Sequence, residues 1–175
     1  TSTPTQTPTR TTTPTISCAG GATGLSVTIS TSDDDMVMWG LGTTWPPPYF
    51  GTTDGQLGAA LKYAMLGGSY NEVIAAMRFN VAAVIPVGKS VSSAKLRLNI
   101  DGDVLNSDTR NVTIRYYANS NWPIDGADYV VTPAGTLGNT TALADISTGA
   151  YHAFTLSNTS AIDTASYAGF RIWID

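Results

Sequence analysis

Val91-Ser92-Ser93-Ala94-Lys95-Leu96-Arg97-Leu98-Asn99-Ile100 sets Ala94, Leu96, Leu98 and Ile100 against Ser93, Lys95, Arg97 and Asn99. Side chains of an extended chain point alternately to opposite faces, so this period of two lines one face with apolar groups and leaves the other for water. It reads as a half-buried strand, entered through the turn signals Pro86 and Gly88. One wet face is the mark of an antiparallel sheet.

Working outward, the same period recurs. Upstream, Leu25, Val27 and Ile29 alternate with Ser26, Thr28 and Ser30, and Met36-Val37-Met38-Trp39 follows the acidic turn Asp33-Asp34-Asp35. Val73 to Val81 carries Met77, Phe79 and Val81 on one face. Downstream, Asn111 to Tyr117, the short Tyr129-Val130-Val131, Ala153 to Leu156 and the terminal Phe170 to Ile174 complete the series. Between them, Gly40, Trp45-Pro46-Pro47-Pro48-Tyr49 and Thr52-Thr53-Asp54-Gly55 predict an irregular loop. Leu57 to Leu66 has the composition of a helix, but Gly58, Gly67 and Gly68 at its borders and the surrounding strands favour a strand. About eight to ten short strands without a long helix predict an all-β fold, an antiparallel β-sandwich of jelly-roll type. The pattern ends inside the last strand, whose edge is expected to be bare.

Before the first strand, every odd residue from Thr1 to Thr15 is threonine: Thr1, Thr3, Thr5, Thr7, Thr9, Thr11, Thr13 and Thr15. The even positions hold Ser2, Pro4, Gln6, Pro8, Arg10, Thr12 and Pro14. In an extended chain the odd backbone groups point to one edge, and the prolines remove donors only from the other. The Thr edge keeps its capacity to pair with a sheet, and fifteen residues at about 3.3 Å each reach roughly 50 Å, farther than a small domain is wide. The same composition is also that of an O-glycosylated spacer without fixed conformation. The organisation expected is an arm over residues 1–17, a Gly-rich joint over 18–24 and one jelly-roll domain over 25–175.

Charged residues are 13% of the chain, the net charge is −4, and Glu72 is the sole glutamate. Nine scattered Lys and Arg supply no basic stripe, so nucleic acid and anionic membrane surfaces are excluded as partners. Weak charge leaves little repulsion between copies. No apolar run approaches the ~20 residues of a membrane span, and a first residue other than Met fits a processed chain. Cys18 is alone, which removes an intrachain disulfide and the zinc reading and leaves a bridge between chains or, as the favoured state, a buried free thiol.

Arg78-Phe79-Asn80, Val91 to Leu98, Ala127-Asp128-Tyr129, Phe154-Thr155-Leu156-Ser157-Asn158 and Tyr167-Ala168-Gly169-Phe170-Arg171-Ile172 resemble, in order, the signature segments of DNRLRE-type β-sandwich domains of prokaryotic cell-surface and phage structural proteins. The resemblance spans roughly residues 25 to 175. It departs where Asn80 replaces the usual Asp and His152 a frequent aromatic, and the Thr/Pro arm is no part of it. It implies a jelly roll with an extracellular, non-catalytic role.

No catalytic group is expected: His152 and Glu72 sit in no nucleophile, carboxylate-pair or metal motif, and no cofactor is implied. Asp33 to Asp35 and the turn holding Asp101, Asp103 and Asp108 could gather oxygen ligands around calcium, but neither matches an EF-hand loop and such turns between strands are more often simple turn formers. Trp45, Tyr49, Trp122 and Trp173 are candidate contacts, flat rings that stack on sugars or fill subunit interfaces, with Trp45 and Trp122 expected outside the core. Trp39 belongs to the same aromatic set. Sequons at Asn111, Asn139 and Asn158 and the arm hydroxyls of Thr3, Thr5, Thr7 and Thr9 are possible glycan sites. The function expected is a structural subunit of an extracellular, pilus-like helical filament, a homo-oligomer whose arm adds as a strand to the next copy. The alternative is a carbohydrate-binding module on a Thr/Pro linker, which requires a monomer with a row of exposed rings. An ice-binding Thr face is disfavoured, because one proline-interrupted strand offers little flat surface.

Overall fold

The computed structural model describes residues 16–17, 23–29, 34–54, 63–64, 68–100, 109–129 and 135–174. The arm from Thr1 to Thr15, Cys18, Asp33, Asp101, Asp103, Asp108, Val130 and Val131 lie outside them.

The best alternating stretches become strands. The opening stretch forms β7 (Ala94–Ile100), and the others follow in chain order: β1 (Ile16–Ser17), β2 (Thr23–Gly24), β3 (Asp35–Gly42), β4 (Tyr49–Asp54), β5 (Tyr63–Ala64), β6 (Tyr70–Phe79), β8 (Asn111–Tyr117), β9 (Leu137–Ala142), β10 (Ala150–Leu156) and β11 (Ala168–Ile174). Every pairing is antiparallel. A seven-stranded sheet runs β4-β3-β6-β11-β8-β9 with β5 also on β6, while β7 pairs with β10 and β1 with β2. The β1–β2 pair brackets the Gly-rich joint.

The two larger sheets meet through their apolar faces. Met77 of β6, Val112 and Ile114 of β8 and Phe170 and Ile172 of β11 pack with Leu96 of β7 and Phe154 and Leu156 of β10. Burying a side chain of this size contributes about 1.5–3 kcal/mol, so this seam is the main source of cohesion. The fold is all-β and antiparallel as expected, and its layered packing is compatible with a jelly roll.

Several expectations are corrected. The last strand, β11, is not an edge: it lies between β6 and β8 and all of its residues are buried. Its alternate residues Gly169, Arg171 and Trp173 face a second covered surface, so the bare terminal edge does not exist. β4 arises inside the segment expected to be loop, because the prolines end before Tyr49 and the aromatic and β-branched residues that follow pair with β3. β9 was hidden by Gly138 and Asn139, which read as turn residues. Residues 25–29 carry no ladder, although Val27 and Ile29 pack on the core, so their alternation signals burial without pairing. Val81 belongs to a 3₁₀ turn after β6, and Tyr129 directly follows another, Gly126–Asp128, the rest of the strand expected there lying outside the described residues. Of Leu57 to Leu66, the described part is β5.

Candidate functional site

The second face of the large sheet carries polar residues among apolar ones. Period two places Glu72, Ile74, Ala76 and Arg78 of β6 on this face, beside Met38 and Gly40 of β3, Arg171 and Trp173 of β11, and Thr113, Arg115 and Tyr117 of β8. A strap over residues 119–129 crosses it, burying Ile124 and half-burying Trp122 and Tyr129 against Met38, Ile74 and Trp173.

Hydrogen bonds and charge hold the strap down. The Tyr117 hydroxyl donates to Asp128 Oδ1, and the Arg171 guanidinium donates to the Asp128 carbonyl. Asp128 Oδ2 accepts from the Asp125 N–H at 2.8 Å and Asp125 Oδ1 from the Ala127 N–H at 2.7 Å, a reciprocal cap on the short 3₁₀ turn. Tyr129 directs its hydroxyl at Glu72 Oε2, 3.2 Å away, with the Pro47 carbonyl at 3.3 Å. Glu72 is 1% exposed and Arg171 3%. Burial, reinforced by the neighbouring carboxylates, pushes the phenols of Tyr117 and Tyr129 well above their usual value. Burial pulls Arg171 down while Tyr117, Asp128, Glu72 and Tyr129 oppose the shift. Glu72 and Arg171 are buried at the base of this cluster, and the half-buried Tyr117, Asp128 and Tyr129 join them to the strap.

A second clamp lies nearby. The Arg78 guanidinium stands 4.6 Å from the ring centroid of Trp122 and 4.5 Å from that of Tyr167, donates from Nε to Asp34 at 2.8 Å, and reaches Asn119 Oδ1 at 3.1 Å. Glycines let the layers close: a Cβ on Gly40 would overlap the Tyr129 hydroxyl and lie 2.8 Å from the Pro48 carbonyl, and one on Gly126 would meet the Tyr49 ring at 2.9 Å. Beside the strap a cleft of about 690 Å³ is lined by Tyr116, Asn119, Thr136, Asp163 and Tyr167, among others.

The expected contact aromatics separate. Trp173 is 5% exposed and packed in the second core, with Arg115 over its ring, so it is neither an interface nor a sugar contact. Trp122 is half-buried under Arg78, not outside the core as expected. Trp45 is half-buried with its ring edge-on to Tyr70 at 5.7 Å. Tyr49 is 41% exposed and tilted against Tyr129. The four make no row of exposed rings. His152 packs on Phe154, ring centroids 4.6 Å apart. Asp34 is committed to Arg78, and among the described residues no cluster of three His, Cys, Asp or Glu could hold a metal. Asn111 opens β8. Nothing in sequence spacing announces the Glu72–Tyr129–Arg171 cluster; its one signal is a charged residue on a terminal strand whose other face is wholly apolar.

Sheet edges matter for an arm that adds as a strand. Among the described residues the longer strands with an outer row of backbone groups are β4, β9, β7 and β10. β9 and β10 turn theirs toward each other: Ser157 N–H donates to the Gly138 carbonyl at 2.7 Å, Asn139 Nδ2 to the Thr155 carbonyl at 2.8 Å, and Asn158 Nδ2 to the Leu137 carbonyl at 2.9 Å. β4 follows Pro46-Pro47-Pro48 and is bulged against β3 at Trp39/Gly40. Prolines and bulges are the devices by which edges refuse further strands. β7 has neither, pairs in unbroken register with β10, and among the described residues has no ladder on its other side. Its Ala94, Leu98 and Ile100 are only half-buried against the core.

Compared with known protein families, curated proteins and solved structures, the chain finds no match.

Proposed function

We propose that the chain is a structural subunit of an extracellular, pilus-like filament, polymerising when the Thr/Pro arm of one copy adds as a strand to the next. The observation that carries this reading is the unequal layering: among the described residues a seven-stranded sheet is covered by a two-stranded one. Leu98 and Ile100 of the smaller layer are only half-buried, and one more strand beside them would remove apolar surface from water. An arm from one copy on the body of another is a head-to-tail contact, which propagates into a fibre unless its rotation closes a ring. The low charge and the Thr- and Ser-rich surface agree with close self-association outside the cell.

Electron microscopy with light scattering at neutral pH tests this directly. Long regular fibres are expected; a stable monomer at high concentration overturns it. The cleft with Tyr167, Asn119 and Asp163 favours the second reading, a carbohydrate-binding module, since a ring with amide and carboxylate groups beside it suits a sugar. A monomer that binds soluble polysaccharide would establish that reading.

A further inference from the structure

We infer that the outer edge of β7 is the acceptor for residues 1–15 of a second copy, with the odd threonines turned toward the core and the prolines on the new outer edge. The inference rests on the filament reading and adds which edge is used and which way the arm lies. Among the longer described strands with an outer row, β9 and β10 are hydrogen-bonded across their corner, and β4 is bulged and preceded by prolines. The terminal strand, the obvious candidate from sequence, is interior.

The arm fits β7 in two ways that hold together when it runs parallel to β7, because the core-facing residues of β7 turn their backbone groups to β10 and the outward row is that of Lys95, Arg97 and Asn99. Its first match is in backbone polarity. The odd residues keep every N–H and can pair along the edge, whereas Pro4, Pro8 and Pro14 all fall in the even row. With the odd row paired to β7, the even row faces outward and cannot template another strand, so addition stops after one arm. Its second match is in the side chains. The odd residues are all β-branched, and on the inner face their methyl groups would lie over half-buried Leu98 and Ile100. Gln6 and Arg10 are even and would face water beside exposed Lys95, Arg97 and Asn99. The occupant comes from another copy because an arm of roughly 50 Å outreaches a domain of this size. The seven residues of β7 use about 23 Å of it, and the remainder bridges the copies.

Photocrosslinking of the full chain decides the point. A benzophenone side chain is placed at Lys95 or Asn99 on β7, or at Thr52 on β4, all exposed, and each probe-bearing protein is mixed with ¹⁵N-labelled unmodified chain before irradiation and mass spectrometry. Labelled peptides from residues 1–15 are expected on the β7 probes, with background only at Thr52. Capture at Thr52 instead, or fibres without capture at any site, would each overturn the β7 assignment and leave the filament reading standing, whereas capture only of unlabelled arm from the same chain would overturn both. Neither fibres nor capture would overturn both.

Discussion

A buried arginine beside a buried glutamate is held in place by what leaving either one alone would cost. Arg171 lies in the field of Glu72 and Asp128 and donates to the strap through the Asp128 carbonyl. Arg171→Leu would keep the volume but strand Glu72 as an uncompensated charge, and breaking such a pair costs about 3–5 kcal/mol. A urea titration should place the midpoint far below that of the wild type with an unchanged slope; a midpoint within error of wild type would show that the guanidinium does not support the strap. The two phenols make a separate statement about pH. Both are raised in the folded protein, so above the ordinary tyrosine value, about 10, the unfolded chain releases protons that the folded chain keeps. Their contribution is fully present below pH ~10 and is lost as pH climbs toward the raised folded values. Stability from pH 8 to 11.5 should therefore stay level and then fall, and the Tyr117→Phe/Tyr129→Phe double variant should fall less steeply over the same range.

At the scale of elements, what the sequence made legible depended on how local the cause was. β7, β8 and β10 were visible because their alternation comes from facing a core on one side, a property each strand carries alone. The place of β11 was not visible, because pairing between β6 and β8 is settled by partners far away in the chain. β9 was missed because its pairing with β8 is made through a Gly-Asn-Thr-Thr run that has no apolar rhythm. The strap cluster was missed for a similar reason: Tyr129 and Glu72 are 57 residues apart, and no spacing rule links them. Gly40 shows how one strand admits the strap, since its missing side chain is the space Tyr129 and Pro48 occupy. Gly40→Ala is expected to cost about 1–3 kcal/mol by overpacking. Hydrogen exchange should localise the loss, with faster exchange over residues 119–129 and unchanged protection in β7 and β10. Uniform acceleration across the molecule would mean that the strap is no separate unit.

For the whole molecule, the arm and the sheet pose one problem of edges. A sheet edge that accepts a strand makes a polymer possible, and a new edge that accepts another makes it a bundle. If the Thr row pairs and the Pro row faces outward, the parity of proline in the arm governs fibre shape through backbone donors alone. Moving proline into the pairing row, as in Thr5→Pro/Thr9→Pro, would delete donors from the ladder and should abolish fibres while leaving the circular dichroism of the domain intact. Replacing Pro4, Pro8 and Pro14 with Thr should do the opposite, preserving fibre formation but restoring donors on the outer row. Electron micrographs would then show fibres associated side by side, where the wild-type chain gives separated ones. Neither variant changes the charge, and Ser2→Pro/Thr12→Pro adds two prolines to the even row as Thr5→Pro/Thr9→Pro adds two to the odd row. Loss of fibres in both of these proline-adding variants would sink the assignment of rows, whereas fibres kept by the even-row variant and lost by the odd-row one follow only if odd and even residues of the arm meet different surroundings.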